Sequence, residues 1–288
     1  MGRRVVWLLG SLGRAFVTNS TCVWNASTKA SLQAALGSEW PASRPRPLAI
    51  RTDSELFWRH AFDAQASSVR VVGAGLASTG SETIHDLVCE AGLGSIHMTK
   101  HCRVTQSAWL AHEKLLNVYL EQIVSCATPT IGVSCDAVEI AKRLRPLLRD
   151  VLVSGVVAIG DAPYSYLVDE LAMALPGATF VRTNREPLEW ALVKQKRFKG
   201  RDVICKPSNL EAKQAPTYLD LMGCLPSLAT EFSPSIAKFF VNYQDFFTPS
   251  GHKLAAVFAI HFEYLSAVLR GRDLLDAQQH GRPPHCLL

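Results

Sequence analysis

The sequence predicts an α/β protein, a three-layer fold in which helices cover both faces of a mostly parallel sheet. Three short apolar stretches rich in β-branched residues alternate with longer stretches whose apolar residues recur every three or four positions. Each short stretch ends at a glycine or a polar turn, as buried strands do. Strands that are apolar on both faces and alternate with helices indicate a parallel sheet covered on both sides.

The elements follow in a regular order along the chain. Strands are expected within 67–75, 155–163 and 178–187. Apolar periodicity predicts helices in seven segments: 81–93, 106–124, 136–153, 164–177, 187–198, 235–247 and 252–271. Pro146 would kink or break its helix, whereas Pro187 occupies a first turn, where proline is tolerated. Since such sheets bind ligands at the carboxyl ends of their strands, the site is expected at the ends of the three strands.

Composition describes an ordinary globular protein with a weak preference for anions. The 288 residues are 48% hydrophobic and 19% charged, with a net charge of +5. That charge favours an anionic small ligand and is too small to indicate nucleic acid. Residues 1–66 show no sustained periodicity and carry a linker rich in proline and arginine, so they are expected to form an extension that need not be fully ordered. Residues 67–288 are expected to form one domain.

The N-terminus and the cysteines give only general information about location and metals. The basic, apolar start is interrupted by Arg14 and is too short to span a bilayer, so no spanning helix is expected. The sequence favours a cytoplasmic location, and glycosylation sequons at Asn19 and Asn25 leave the secretory lumen as an alternative. The eight cysteines contain no C-x-x-C pair, and His97 and His101 lack a third ligand, so no metal is expected.

The loop after the first strand has the composition of an anion-binding site. Glycines at positions 73, 75 and 80 allow the backbone to approach a ligand closely, and a helix begins at Ser81. The free N–H groups and positive dipole end of that helix would face the loop. The alternative is a plain connection in which the glycines serve packing alone.

Three standard motifs do not fit this loop. A Walker loop would have lysine where Ser81 stands. A dinucleotide loop would have a third glycine at Ser78 and an acidic residue about 20 positions further on, and the chain has neither. A nucleophile elbow would have glycine in place of Leu76.

Two segments resemble the sulfotransferase family. "VVGAGLASTGSETIHDLVCEAGLGSIHM" is similar to the first motif of the branch with a loop close to G-A-G-L-P-R-T-G-T, which is followed by a helix and a histidine-methionine segment. "AIGDAPYSYLVDELAMALPGATFVRTNREPLEW" resembles the second block of that branch, including D-x-P and R-[DE]-P-x-x-W. The resemblance extends over about residues 68–288 and is strongest over 70–98 and 155–200.

The resemblance implies a P-loop-type α/β fold that moves a sulfuryl group from 3′-phosphoadenosine 5′-phosphosulfate (PAPS) to a hydroxyl or amine acceptor. No metal is implied, and PAPS would be a cosubstrate. Arg185 matches the arginine that grips the 3′-phosphate, a task suited to its planar fork of donors. The residues that would surround the 5′-phosphosulfate are Gly75, Ser78, Thr79, Gly80, Ser81 and Thr83.

Two departures from the family pattern bear on activity. The family has lysine or arginine at the position of Ser78, where a cation stabilises the departing oxygen by roughly 3–4 kcal/mol. A serine hydrogen bond would supply about 1 kcal/mol. The family's phosphate-binding serine, eight residues after the arginine, is Val193 here. Nearby cations could compensate, or they could simply form a solvated helix face: Lys194, Lys196, Arg197, Lys199 and Arg201.

A general base for the acceptor is the remaining requirement. Asp161 ends a strand beside the loop and is the first candidate, although an aspartate there could instead cap the next helix. His85 and His97 are further candidates, and either could equally be a buried structural histidine. The acceptor pocket is expected from the segments 99–135 and 200–250, whose sequence does not specify the acceptor.

Three functional hypotheses are compatible with the sequence. The first is a sulfotransferase with catalytic Asp161 and Ser78. The second is a weak or inactive relative that still binds an adenosine nucleotide or a partner, motivated by the substitutions at positions 78 and 193. The third is a small-molecule kinase on the same fold, which would require a cation in the loop.

Overall fold

The structure is a computed structural model, and parts of the chain lie outside it. It describes residues 56–59, 62–76, 79–127, 137–198, 251–270 and 274–278. The predicted helix at 235–247 and the candidate site residue Ser78 lie outside these ranges.

The described strands form one mostly parallel sheet, as the sequence predicts. Its spatial order is β3-β2-β4-β1-β5-β6, and only the β2–β3 pairing is antiparallel. The strands in chain order are β1 Val71–Gly73, β2 Ser95–His97, β3 Lys100–Cys102, β4 Ala158–Gly160, β5 Thr179–Asn184 and β6 Leu274–Gln278.

Helices connect these strands, and six of the seven predicted helices lie within the described residues. They are α1 Ser81–Glu90, α2 Gln106–Ala127, α3 Ala137–Leu152, α4 Val168–Ala174, α5 Pro187–Phe198 and α6 Gly251–Val268. The predicted segment 164–177 consists of a 3-10 turn at Tyr164–Tyr166 followed by α4. The assigned helix α3 continues through Pro146. No helix of the described residues is both long enough and apolar enough to cross a membrane.

Three of the six strands were not anticipated from the sequence. β2 and β3 have three residues each, with the sequences SIH and KHC, and so lack any run of apolar residues. β6 carries an aspartate and a glutamine in five residues. Such short, polar strands form because a neighbouring strand supplies their hydrogen-bonding partners, which is tertiary information that periodicity does not contain.

The topology places the candidate site at one edge of the sheet. β1 lies between β4 and β5, and all three are parallel, so their carboxyl ends meet at the same edge. The chain leaves β1 toward β2 on one side and later returns to β5 on the other. A ligand crevice forms where connections diverge in this way.

The core extends from the sheet to the N-terminal side of the expected domain boundary. Trp58, in a helical turn at residues 56–59, is buried in the main hydrophobic cluster. Its indole N–H donates to Glu170 Oε2 at 2.5 Å, and Arg145 Nε donates to the Glu170 carboxylate at 3.2 Å. The division at residue 66 stays a prediction, but the turn at 56–59 packs with the domain.

A buried histidine joins α6 to the chain just after β1. His261 Nε2–H donates to the carbonyl oxygen of Ala74 at 3.1 Å. Burial lowers the pKa of His261 to about 4, with the hydrogen bond to Ala74 opposing that shift. The folded state therefore holds this imidazole neutral at pH values where the unfolded chain, with an ordinary histidine pKa near 6.5, binds a proton.

This contact predicts acid sensitivity of the fold. Because the unfolded state binds the additional proton between about pH 6.5 and pH 4, the contribution of His261 to the unfolding free energy is lost as the pH falls through that window. The loss is on the order of 3 kcal/mol when complete. A His261→Gln variant retains a donor for Ala74 but does not titrate, so we expect its stability to depend less on pH when measured by urea unfolding from pH 7 to 4.5.

The exposed His101 offers a matched control, since His101→Gln removes an imidazole from the surface. We expect it to change the slope of stability against pH less than His261→Gln does. An identical slope for wild type and His261→Gln would contradict a buried, neutral His261.

Candidate functional site

The loop after β1 is fixed to its neighbours at its first residue. The Ala74 backbone N–H donates to the Val181 carbonyl on β5 at 2.8 Å. The carbonyl of the same residue accepts the hydrogen bond from His261 on α6. Ala74 is thus held by both its backbone groups, and the loop starts from a defined position beside β5.

Gly75 continues this close packing against β5. A β-carbon at position 75 would overlap the Thr183 hydroxyl and lie 2.8 Å from both the backbone nitrogen and the carbonyl oxygen of Thr183. Only glycine allows this approach without a shift of the backbone. Gly75, predicted as a ligand-binding position, therefore has a packing role that is visible in the structure.

Thr79, on the other side of the loop, is tied to the same strand residue. Its buried hydroxyl forms a short hydrogen bond with the hydroxyl of Thr183 and another with the Leu76 carbonyl. These bonds occupy the hydroxyl that the sequence assigned to the cosubstrate. A ligand in the loop would consequently meet Thr79 through its backbone.

The loop leads directly into the N-terminus of α1. Gly80 precedes the helix with φ of 105°, a left-handed conformation that favours glycine. Thr83 is exposed, and its backbone N–H donates to the Gly80 carbonyl at 3.1 Å. The N–H groups at the very start of a helix, here those of Ser81 and Glu82, have no carbonyl one turn earlier within the helix, so α1 presents a positive end to the loop.

Asp161 follows β4, at the strand end next to this loop. Its Oδ1 accepts a hydrogen bond from the Ala162 backbone N–H at 2.7 Å, and its φ is 61°. The alternative that it caps the next helix is not observed, because the N-cap of α4 is Leu167 and carries no side-chain hydrogen bond. The carboxylate is instead directed to a histidine.

That histidine is His97, the last residue of β2. Its Nε2 lies 3.3 Å from Asp161 Oδ2 and 3.1 Å from Ser81 Oγ. Both side chains of the His97–Asp161 pair are largely buried, with 9% and 6% of their surface exposed. The pair joins the ends of two parallel strands to the first residue of α1, so a carboxylate, an imidazole and the helix N-terminus occupy one small region.

A second histidine fixes the turn that follows His97. His112 on α2 donates from Nε2 to the Met98 carbonyl at 2.6 Å, and the Tyr164 hydroxyl donates to its Nδ1 at 2.7 Å. The bond from Tyr164 requires an unprotonated Nδ1, and burial lowers the pKa of His112 to about 4, with the hydrogen bond to Met98 opposing that shift. The network links the turn after β2 to the 3-10 turn that follows Asp161.

Arg185 lies at the end of β5, on the other side of the loop. Its guanidinium is 3.8 Å from the Glu189 carboxylate on α5, and its side chain is 15% exposed. Glu186 caps this helix by accepting from the Glu189 backbone N–H at 2.6 Å. Val193 is partly buried on the same helix, and the side chains of the cations that follow it lie outside the described residues.

The structure thus brings most of the predicted site residues to one edge of the sheet. Those described at the ends of β1, β4 and β5 or at the start of α1 are Gly75, Thr79, Gly80, Ser81, Thr83, Asp161 and Arg185. The sequence reasoning did not assign roles to Thr183 or His112. A hydroxyl side chain near the carboxyl end of a predicted strand, two residues before Arg185, was the available signal for Thr183.

Comparison with known protein families gives a match over most of the chain. A model of the sulfotransferase domain matches residues 70–280, nearly three quarters of the chain. The chain belongs to the sulfotransferase family. No curated protein shows a significant match to it.

Membership in the sulfotransferase family confirms both the resemblance drawn from the two motifs and the predicted α/β fold. The matched region begins with the strand that leads into the glycine loop and ends beyond β6. It therefore contains every residue of the candidate site.

Proposed function

We propose that this sulfotransferase uses PAPS and transfers its sulfuryl group to a hydroxyl or amine acceptor. The observation that supports the proposal most is the loop after β1, which is held against Thr183 and opens onto the N-terminus of α1 beside the His97–Asp161 pair. An anion site and a proton acceptor thereby lie at the same strand edge.

The 5′-phosphosulfate of PAPS would bind to the loop through backbone donors. Gly75 and Gly80 keep the loop close to its ligand, and the first turn of α1 supplies N–H groups and a positive dipole end. Ser81 would contribute its backbone, because its hydroxyl already contacts His97. Arg185 would bind the 3′-phosphate, exchanging its exposed contact with Glu189 for the stronger charge of a phosphate.

The transfer step needs a base for the acceptor and support for the leaving group. The acceptor oxygen or nitrogen attacks sulfur, the bond between sulfur and the bridging oxygen breaks, and 3′-phosphoadenosine 5′-phosphate (PAP) leaves with the electron pair. Asp161 takes the acceptor proton, and His97 holds its carboxylate in place through the contact at 3.3 Å. Ser78 donates a hydrogen bond to the departing oxygen.

A second candidate function is nucleotide binding with little or no transfer. Val193 favours it, because an apolar side chain on α5 stands where the family pattern has a phosphate-binding serine. Ser78 favours it as well, since a neutral donor stabilises a departing anion less than a cation does.

The nucleotide assignment predicts selective binding of PAP. We expect isothermal titration to show tighter binding of PAP than of AMP, and Arg185→Ala to weaken PAP binding by roughly 10- to 100-fold with little effect on AMP. This follows because charge-assisted hydrogen bonds contribute about 1.5–3 kcal/mol and each 1.4 kcal/mol changes the affinity tenfold.

Arg59, which is exposed and lies on the separate helical turn at 56–59, provides a control for loss of one positive charge. Arg59→Ala should bind PAP as the wild type does. Absence of PAP binding by the wild-type protein would refute the nucleotide assignment. A preference for ATP over PAP would instead support a kinase.

The assigned chemistry predicts opposite effects of two substitutions on transfer from PAPS to a panel of hydroxyl and amine acceptors. Asp161→Asn should lower the rate roughly a hundredfold or more while PAP affinity is kept, because it removes the base and preserves the shape. Ser78→Arg should raise the rate roughly 10- to 100-fold by supplying the missing cation.

Both effects are measured as the rate of PAP formation, which is quantified by chromatography. If wild type and Ser78→Arg both bind PAP and neither transfers sulfuryl to any acceptor, the second candidate function is the correct one. An Asp161→Asn variant with the wild-type rate would contradict the assignment of the base.

A further inference from the structure

One face of α1 lies along the β2–β3 hairpin and joins it through three contacts. The contacting helix residues are four positions apart, so they share one face of the helix. We call this row of contacts the α1 seam; it pairs Ser81 with His97, His85 with Ser95, and Cys89 with Cys102.

The seam ends in a disulfide at the side away from the candidate site. Cys89 and Cys102 are bonded to each other, with their Cα atoms 5.9 Å apart. Ser95 and Cys102 are directly opposite each other in the β2–β3 ladder, so the disulfide holds both strands of the hairpin against α1. At the other end of the seam, His97 contacts Ser81 and Asp161.

His85 occupies the middle of the seam and touches both ends. Its Nδ1 lies 2.9 Å from Ser95 Oγ, and its Nε2 lies 3.6 Å from Cys89 Sγ. Its ring centroid is 5.6 Å from that of His97. A continuous row of packed side chains therefore runs from the disulfide to the His97–Asp161 pair.

We propose that the Cys89–Cys102 disulfide is a redox-sensitive positioning device that holds His97 against Ser81 and Asp161. β2 pairs with β4, but β3 lies at the edge of the described sheet and pairs only with β2 there, so few backbone contacts fix this outer strand of the hairpin. The covalent link to α1 supplies the missing constraint. The consequence for transfer rests on the proposed function, whereas the consequence for the geometry of His97 does not.

A dithiol reductant can reduce the Cys89–Cys102 disulfide by ordinary thiol–disulfide exchange. Its thiolate attacks one sulfur of the bridge, giving a mixed disulfide and one protein thiolate, which takes up a proton. The second thiol of the reductant then displaces the other cysteine, leaving two protein thiols and an oxidised, cyclic reductant. Cys89 and Cys102 are both partly exposed, which gives a reductant access.

Reduction of the disulfide should affect the rate of transfer more than the affinity for the nucleotide. The glycine loop is held by β5 and α6 through Val181, Thr183 and His261, none of which belongs to the seam. The backbone of His97 is paired with Gly160 on β4, whereas its imidazole is held toward α1 by the seam. Reduction should therefore lower the transfer rate and leave the affinity for PAP nearly unchanged, whereas a general loss of structure would lower both.

The first experiment follows the histidine side chains by NMR in oxidised and dithiothreitol-reduced protein. His97 and His261 are assigned with His97→Asn and His261→Gln. We expect reduction to shift the imidazole resonances of His97 and to leave those of His261 unchanged. A Cys89→Ser/Cys102→Ser variant should match the reduced protein and no longer respond to dithiothreitol, and Cys286→Ser should behave as the wild type does.

Three outcomes would overturn the positioning role. The first is an unchanged His97 signal after complete reduction, confirmed by mass spectrometry. The second is an equal change at His261, which would indicate general loosening. The third is two free thiols at 89 and 102 in protein made under oxidising conditions, with stoichiometric zinc uptake, because His85, Cys89 and Cys102 place potential metal ligands within 4.8 Å of one another.

The second measurement tests the catalytic consequence. Reduction should lower transfer from PAPS roughly tenfold or more, as small displacements of a catalytic group commonly do, and change PAP affinity by less than about threefold. A parallel loss of affinity and rate would contradict the proposal. Absence of any transfer by oxidised protein would contradict the proposed function, while the NMR result would still decide the positioning role.

Discussion

The contact between Thr183 and the loop after β1 is the constraint on which the candidate site depends. One threonine on β5 meets Gly75 at a distance that excludes any side chain and forms a hydrogen bond with Thr79. Both arms of the loop are consequently fixed to the strand whose end carries Arg185. Because α1 begins directly after Thr79 and Gly80, the contact of the loop with β5 also fixes the position of the helix N-terminus.

The second half of the site depends on how His97 is held. The β2–β4 ladder pairs its backbone with Gly160, and two further contacts support it, the α1 seam and the hydrogen bond from His112 to the Met98 carbonyl. Through Tyr164, His112 also fixes the turn after Asp161, so the two members of the His97–Asp161 pair share a support. The loop and the pair are built by different elements and meet at Ser81 and at the paired ends of β1 and β4.

The sequence predicted the parts of the fold that are long or apolar, and missed those that are short and polar. The helices of the described residues and strands β1, β4 and β5 follow from periodicity because each buries an apolar face. β2 and β3 could not be found in this way, since three residues with two polar side chains carry no period. Their pairing, and with it the bond between Cys89 and Cys102, depends on which strand lies beside which.

The same limit applies to the site. Gly75 and Asp161 were accessible because they lie at the ends of predicted buried strands, where the ligand edge of a parallel sheet is expected, and Gly80 because it directly precedes the next predicted helix. The hydrogen bond between the Thr79 and Thr183 hydroxyls could not be predicted, because the two residues are 104 positions apart in the chain. The sequence likewise named His97 only as an alternative base beside His85, because its contact with Asp161 depends on the placement of β2 next to β4.

Titration of PAP against Thr183→Val tests most directly whether this contact builds the nucleotide site. Valine keeps the shape of threonine and removes the hydroxyl that bonds Thr79, whereas Thr183→Ser keeps the hydroxyl and serves as the control. We expect Thr183→Val to bind PAP roughly three- to tenfold more weakly, the equivalent of about one lost hydrogen bond, and Thr183→Ser to retain most of the wild-type affinity. Wild-type affinity in a folded Thr183→Val protein, or no binding of PAP by any of the three, would contradict the account.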